Sequence, residues 1–245
     1  MGVKITQTPG KIAHRAFAPL SRWISQRAFR WRRRHREYLS RQWLFDTIAG
    51  FVAGGKVEGS YLEFGCAWGS SLIDMNDAMR PYREHDKTNF FIFDSFEGLP
   101  APAGLDAGEH VRYEAGQFAC DLDLDQCNVR RGGVDLARVQ CIKGWYDKTL
   151  TPQLKQELPI EKAAIVLIDC DLYESTVPVL DFITDYIQTG TVLIFDDWYS
   201  YKGRTDLGEA LAFTQWRAKH PNIQATEYHK AGRTMISFIM QVEAA

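Results

Sequence analysis

The sequence lacks the features that mark several large classes of protein. No uninterrupted apolar run approaches the roughly 20 residues that a membrane-spanning helix needs, and no apolar h-region opens the chain. The five cysteines form no Cys-x-x-Cys pair, and the six histidines show no metal-ligand spacing. We therefore expect neither a secretory signal nor a zinc site, and we expect reduced thiols in a cytoplasmic protein.

Composition and charge further limit the class of protein and the partners that the sequence allows. Of the 245 residues, 45% are hydrophobic and 24% are charged, which suits one large globular domain with a full core. The formal net charge of −2 gives no general affinity for polyanions, so we expect no nucleic-acid partner. Residues 1–41 nevertheless carry eleven basic side chains and one acid, whereas the rest of the chain carries 18 basic and 30 acidic ones.

An arginine-rich N-terminal arm, residues 1–36, precedes a domain over residues 37–245. Trp23, Phe29 and Trp31 are interspersed with arginines in this arm. One interpretation is an amphipathic helix that makes peripheral contact with an anionic surface. The other is an arm that packs its aromatic side chains on its own domain or on a second subunit of a homo-oligomer.

Strand-like and helix-like patterns alternate along the domain. Five short apolar runs without period-2 alternation predict strands that are covered on both faces, at Tyr61–Phe64, Asn89–Phe93, Arg138–Ile142, Ala163–Ile168 and Thr191–Phe195. Two further candidates near the end of the chain predict a hairpin, at Ile223–Tyr228 and Thr234–Met240. We predict a doubly wound α/β fold: a mostly parallel seven-stranded sheet, a C-terminal antiparallel hairpin and an N-terminal helical extension.

Three of the predicted helices carry polar residues at their starts. These are Ser70 or Ser71, Ser175 or Thr176 with Pro178 in the first turn, and Asp206 with Glu209 in a capping-box spacing. Two more helices are predicted over about 35–53 and 148–158. One long insertion, residues 95–136, interrupts the alternation and predicts a lid over the site. Phe96, Tyr113 and Phe118 are its candidates for lining an acceptor pocket.

A glycine-containing turn follows the first predicted strand. Residues 63–70 (EFGCAWGS) space two glycines as GxxxG, with Glu63 two residues before the first. A dinucleotide site uses GxGxxG to seat a pyrophosphate, which an acid at this point would repel. An ammonium group would instead be attracted, so the turn favours S-adenosylmethionine, whose amino-acid head carries no phosphate. The candidates for binding it are Glu63, Gly65, Cys66, Gly69 and Ser70; a plain strand–helix turn is the alternative.

A lone acid, Asp94, ends the next predicted strand and is followed by Ser95. A carboxylate at that point can accept hydrogen bonds from both ribose hydroxyls of a nucleoside. Because the ribose of NAD would be bound in the same way, Asp94 indicates a nucleoside-containing ligand but does not distinguish S-adenosylmethionine from NAD. A helix cap or turn residue is the alternative.

Two predicted strands end in pairs of acids. Asp169 and Asp171 follow one buried strand, and Asp196 and Asp197 follow the next. Neighbouring strands would bring all four carboxylates together, where they repel one another strongly unless a cation lies among them. Their hard oxygen atoms suit Mg²⁺ or Mn²⁺. The alternative is a set of solvated acids at strand ends.

Five segments together resemble the macrocin-type sugar O-methyltransferases, which act on deoxysugars of macrolide and aminocoumarin antibiotics. The segments are 62–65 (LEFG), 93–100 (FDSFEGLP), 144–150 (GWYDKTL), 169–176 (DCDLYEST) and 196–198 (DDW), in family order. The resemblance covers roughly residues 38–240, and DSFEGLP is its most specific part. Two departures are Cys170, where a small residue is usual, and Trp198, where tyrosine is more common.

The resemblance implies a reaction and roles for these residues. The methyl donor would be S-adenosylmethionine, held by Glu63, Gly65, Asp94, Ser95 and Asp169, with Gly144 and Trp145 near its adenine. A Mg²⁺ or Mn²⁺ ion would be ligated by Asp169, Asp196 and Asp197, and Asp171 would be the general base. The acceptor would be a sugar-containing small molecule.

Two alternatives lie outside this family. A metal-dependent glycosyltransferase also uses Asp-x-Asp, which Asp169 and Asp171 match, but it leaves the Glu63–Gly69 turn unexplained. A non-enzymatic adaptor at a membrane surface would explain only the basic arm.

Overall fold

The structure, a computed structural model, describes residues 36–82, 87–108 and 113–243. The predicted N-terminal arm, residues 1–36, therefore lies outside the described residues except for its last one. The strands are β1 (Ser60–Phe64), β2 (Phe90–Asp94), β3 (Val139–Lys143), β4 (Ala163–Ile168), β5 (Val192–Phe195), β6 (Ile223–Ala231) and β7 (Met235–Val242). Each corresponds to one predicted strand, with small shifts at the ends.

All seven strands belong to one sheet of order β3-β2-β1-β4-β5-β7-β6. Strands β1 to β5 pair in parallel, and β7 pairs antiparallel with both β5 and β6. The predicted doubly wound sheet with a C-terminal antiparallel hairpin is confirmed. Strand order reverses direction between β1 and β4, and open α/β sheets bind ligands at the carboxyl ends of the strands beside such a point.

Seven helices are described: α1 (Arg36–Gly55), α2 (Ser70–Met79), α3 (Leu122–Arg131), α4 (Tyr146–Thr149), α5 (Pro152–Glu157), α6 (Tyr173–Ile183) and α7 (Gly208–Lys219). Within the described part of the chain, none of these helices has the length and apolar character that crossing a bilayer requires. The single helix predicted over 148–158 is in fact two, because the Thr151 hydroxyl caps α5 by accepting a hydrogen bond from the Leu154 N–H (3.2 Å).

The sheet is buried on both faces, which explains the apolar runs. On one face Phe64 stacks on Phe93 with ring centroids 4.5 Å apart, and Phe182 of α6 meets Phe93 edge-on at 5.6 Å. On the other face Tyr61 and its neighbours pack against Leu44 of α1 and against α2. Because successive strand residues point to opposite faces, each strand contributes to both cores.

The insertion predicted over residues 95–136 contains a helix. Helix α3 is the crossover helix between β2 and β3, and its Val129 is buried in the core shared with α1 and α2. Among the described residues, the alternation of strands and helices is therefore interrupted only over residues 95–108 and 113–121. We refer to residues 95–108 and 113–121 as the cavity loop.

The side-chain caps predicted for three helices do not form. The N-cap of α2 is Gly69, and α6 begins two residues before Ser175, so Pro178 lies in its second turn. The cap of α6 comes instead from the cavity loop, where the buried Asp106 carboxylate accepts hydrogen bonds from the Tyr173 and Glu174 N–H groups, both at 2.9 Å. Helix α7 begins after Leu207, without the predicted capping box.

We predict that Phe64→Ala destabilises the protein by about 3–5 kcal/mol, because it removes a fully buried ring from the centre of one core. Equilibrium denaturation in urea measures the change. Phe118→Ala is a matched control, since its ring is 50% exposed and its loss should cost under about 1 kcal/mol. Equal losses for the two variants would contradict the placement of Phe64.

Candidate active site

A cavity of about 750 Å³ opens at the carboxyl ends of β1 to β5. The chain segments that follow these strands form one side of it, and the cavity loop forms another. Nine of the predicted site residues line it: Gly65, Asp94, Ser95, Gly144, Trp145, Asp169, Asp171, Asp196 and Asp197. Four others do not line it: Glu63, Cys66, Gly69 and Ser70.

Gly65 is where the backbone after β1 comes closest to the backbone after β4. Its φ is +89°, and a Cβ atom built on it would lie 2.0 Å from the backbone oxygen of Asp169. No side chain fits in that space. The first glycine of the GxxxG turn is therefore required by the approach of two strand ends, independently of any ligand.

Asp94 ties the glycine turn to the end of β2. Its Oδ2 accepts hydrogen bonds from the N–H groups of Cys66 (2.8 Å) and Ala67 (3.3 Å), and its Oδ1 accepts one from Phe96 (2.7 Å). The carboxylate thus holds two turns in place while it lines the cavity. Phe96, a predicted acceptor residue, is buried in the core, whereas Tyr113 and Phe118 do line the cavity.

Glu63 lies beneath the turn and not at the cavity wall. It is fully buried, Oε2 accepts a hydrogen bond from the Tyr61 hydroxyl (2.8 Å), and Oε1 accepts one from the Ser71 hydroxyl. Burial, followed by the Glu63 charge, raises the pKa of Tyr61 well above its usual value, so Tyr61 stays a donor. The structure places Glu63 under the start of α2, and its expected contact with a donor ammonium stays a prediction.

Three carboxylates converge on one side of the cavity. Asp169, Asp171 and Asp197 each place an oxygen atom within 4.8 Å of the other two. Asp196 lines the same cavity but is not part of this group. The predicted ligand set of Asp169, Asp196 and Asp197 therefore shares two members with the observed group. Adjacent residues at a strand end project in different directions, and the positive φ of Asp171 (60°) places its side chain beside that of Asp197.

The electrostatics of this carboxylate group favour a bound cation. Burial first, and then the charge of Asp197, raises the pKa of Asp171 to about 9, although a hydrogen bond with Tyr113 opposes the shift. Burial and the charges of its acidic neighbours also raise the pKa of Asp169 well above its usual value. Without a cation such a group retains protons at neutral pH, and a divalent cation would replace them.

Two hydroxyl groups reach the carboxylates from other parts of the chain. Tyr113 of the cavity loop donates a hydrogen bond to Asp197 Oδ1 (3.0 Å), and Ser200 donates to the same atom (2.5 Å). Tyr201 donates to the backbone oxygen of Asp171 (3.0 Å). The cavity loop is therefore attached to the carboxylate group through Tyr113.

Glu209 is the residue that sequence reasoning missed. It is fully buried at the start of α7, where Oε1 accepts a hydrogen bond from the Cys170 N–H (3.3 Å) and Oε2 accepts one from the Asp197 N–H (3.0 Å). The capping-box spacing with Asp206 suggested a local role. The sequence carried no signal of its long-range contacts.

A model of the macrocin-O-methyltransferase (TylF) family matches residues 41–226, a stretch that contains the whole site. The chain belongs to this family. It is therefore an O-methyltransferase, which excludes a glycosyltransferase and a non-enzymatic adaptor.

Curated relatives of this O-methyltransferase include two from Streptomyces. One is the 8-demethyl-8-(2,3-dimethoxy-alpha-L-rhamnosyl)-tetracenomycin-C 4'-O-methyltransferase of Streptomyces olivaceus, 26% identical over 184 residues, which are 70% of this chain and 67% of the relative. The other is the demethyldecarbamoylnovobiocin O-methyltransferase of Streptomyces niveus, 30% identical over 156 residues, which are 60% of this chain and 55% of the relative.

The solved structure of the O-methyltransferase NovP has the same fold. It superposes with a TM-score of 0.67 at 24% identity, over 82% of this chain and 80% of that one. The likeness confirms the predicted fold class of this O-methyltransferase.

We predict that Gly65→Ala destabilises this O-methyltransferase more than Gly232→Ala does. Both glycines have positive φ, so each alanine costs about 1–2 kcal/mol for its backbone conformation. Only Gly65 faces a backbone atom, whereas a Cβ at Gly232 meets nothing within 4 Å. The clash should add about 1–3 kcal/mol, measurable by thermal unfolding. Equal losses would contradict the close approach of Gly65 to Asp169.

Proposed function

We propose that the enzyme transfers a methyl group from S-adenosylmethionine to a hydroxyl group of a sugar or glycosylated small molecule, with a Mg²⁺ ion held by the carboxylates at the ends of β4 and β5. The observation that carries the proposal is the convergence of Asp169, Asp171 and Asp197 in the same cavity as the glycine turn. The named activities of both relatives are O-methylations of glycosylated natural products, which supports this acceptor class.

The donor occupies the part of the cavity between the glycine turn and Trp145 in this proposal. Asp94 lines the cavity, and Oδ1, which among the described residues accepts only the Phe96 N–H, retains one lone pair that can accept a hydrogen bond from a ribose hydroxyl. Gly144 and Trp145, which follow β3, form the wall expected beside the adenine. Glu63 lies beneath the turn and, together with Cys66, Gly69 and Ser70, fixes the shape of the turn. A sulfonium methyl group is already an activated electrophile, so the protein mainly orients the transfer.

The carboxylates fit a divalent cation by chemistry and by position. All are hard oxygen ligands, and their mutual repulsion is relieved by positive charge. Asp169 and Asp197 belong both to the predicted ligand set and to the observed group, so we assign both as ligands. Asp196 lines the same cavity and completes the set, which leaves Asp171 for proton transfer. When bound, the cation would lower the pKa of an acceptor hydroxyl group.

Asp171 is placed to accept that proton. Its side chain is 7% exposed, lines the cavity and lies beside Asp197. Positive charge among its neighbours lowers the pKa of a carboxyl group, so Asp171 would be ionised in the loaded enzyme. Tyr113 and Phe118 of the cavity loop flank the space where an acceptor would enter.

Removal of metal tests the first part of the proposal. Treatment with EDTA should abolish turnover, and excess Mg²⁺ should restore it, because the acceptor hydroxyl is not activated without the cation. Mass spectrometry of the methylated product measures turnover. Calorimetry should show that the donor still binds the EDTA-treated enzyme. Undiminished activity in EDTA would rule out the metal.

Substitution of Asp171 tests the second part. Asp171→Asn should lower kcat by about 10²–10⁴-fold, since it removes the general base, while the Kd for S-adenosylmethionine stays within about twofold of the parent value. Asp185→Asn is the control, because Asp185 is exposed and does not line the cavity. If Asp171→Asn turns over like the parent, Asp171 is not the base.

A further inference from the structure

Hydrogen bonding between β4 and β5 stops just before the carboxylate group. The last backbone hydrogen bond runs from the Asp196 N–H to the Ile168 oxygen (3.0 Å). Beyond it the two chain segments separate, one towards α6 and the other towards α7. The acids that must share a cation therefore lie where the sheet no longer sets the distance between the strands.

Glu209 bridges the two segments at this point. Its two carboxylate oxygens accept hydrogen bonds from Cys170 N–H (3.3 Å) and Asp197 N–H (3.0 Å), one from each segment. Cys170 stands between Asp169 and Asp171, so its backbone position governs both acids. One buried side chain thus replaces the missing sheet hydrogen bonds and sets the spacing of all three carboxylates.

Stability alone does not account for an acid in this position. Glu209 is fully buried, and among the described residues it forms no salt bridge with a basic side chain. Burying a carboxylate that has hydrogen bonds but no basic partner, near other carboxylates, is costly, and a well-packed neutral residue would serve the fold better. The cost is offset where the carboxylate's geometry and charge assist a bound cation.

We infer that Glu209 is a positioning residue for the cation site, which holds the Asp169–Asp171 segment and Asp197 at the separation that a divalent cation requires. The inference rests on the metal site of the proposed function. Glu209 would act through the backbone, without touching donor, acceptor or cation.

Calorimetric titration of the free enzyme with Mg²⁺ tests this role without turnover. Glu209→Gln keeps the shape but turns an amide NH₂ towards one of the two N–H groups, so the Mg²⁺ Kd should rise about tenfold or more. The Kd for S-adenosylmethionine should stay within about twofold. Asp206→Asn is the matched control, because it removes an exposed acid three residues away and should leave the Mg²⁺ Kd unchanged. A parent-like Mg²⁺ Kd in Glu209→Gln would overturn the role.

Glu209→Asp separates geometry from charge. It keeps the negative charge but is one methylene shorter, so it cannot reach both N–H groups at once. The inference predicts weakened Mg²⁺ binding in this variant too. A parent-like Mg²⁺ Kd would show that charge alone matters and would overturn the positioning role.

Amide hydrogen exchange of the metal-free parent tests the two contacts without any variant. The N–H groups of Cys170 and Asp197 should exchange at least about tenfold more slowly than that of Lys202, which lies in the exposed part of the loop after β5. Exchange as fast as that of Lys202 would overturn the bridge. If calorimetry shows that the parent enzyme binds no Mg²⁺, the metal site of the proposed function is wrong as well. If the two N–H groups exchange slowly but both Glu209 variants bind Mg²⁺ as the parent does, only the positioning role of Glu209 is wrong.

Discussion

Strands β4 and β5 run side by side, and each ends in acids whose charges repel one another. Placing Asp169, Asp171 and Asp197 within 4.8 Å of each other is unfavourable unless something holds them there, and much of the neighbouring structure serves this purpose. Glu209 fixes the two backbones, Ser200 and Tyr113 donate to Asp197, and Tyr201 donates to the backbone of Asp171. A divalent cation bound among these acids would relieve their repulsion.

The glycine turn after β1 and the carboxylate group are built as one unit. Gly65 lies against the backbone of Asp169, so the turn after β1 cannot move without moving the end of β4. The cavity loop is joined to the same unit at two points, because Asp106 caps α6 and Tyr113 reaches Asp197. A change in the carboxylate group would therefore alter both the glycine turn and the cavity loop.

The fold could be predicted from sequence because a strand covered on both faces leaves an uninterrupted apolar run, and each such run here is a strand. Site residues at the end of a strand, such as Asp94, or directly after one, such as Asp169, could be placed for the same reason. Long-range hydrogen bonds could not be predicted from the sequence. Asp106 caps a helix 67 residues away, and no local pattern marks it. Glu209 contacts a residue 39 positions earlier, whereas its spacing from Asp206 suggested a capping box. The hydrogen bonds of Glu63 with Tyr61 and Ser71 likewise could not be predicted, because the sequence shows only its position two residues before Gly65.

We propose that the acids at the ends of β4 and β5 form a divalent-cation site. Anomalous diffraction from crystals soaked in Mn²⁺ tests it most directly, since Mn²⁺ takes the same oxygen ligands as Mg²⁺ and can be located without assumptions about other atoms. We expect one anomalous peak at about 2 Å from carboxylate oxygens of Asp169 and Asp197. A map with no peak in the cavity, or with a peak bound only by residues outside this group, would contradict the claim.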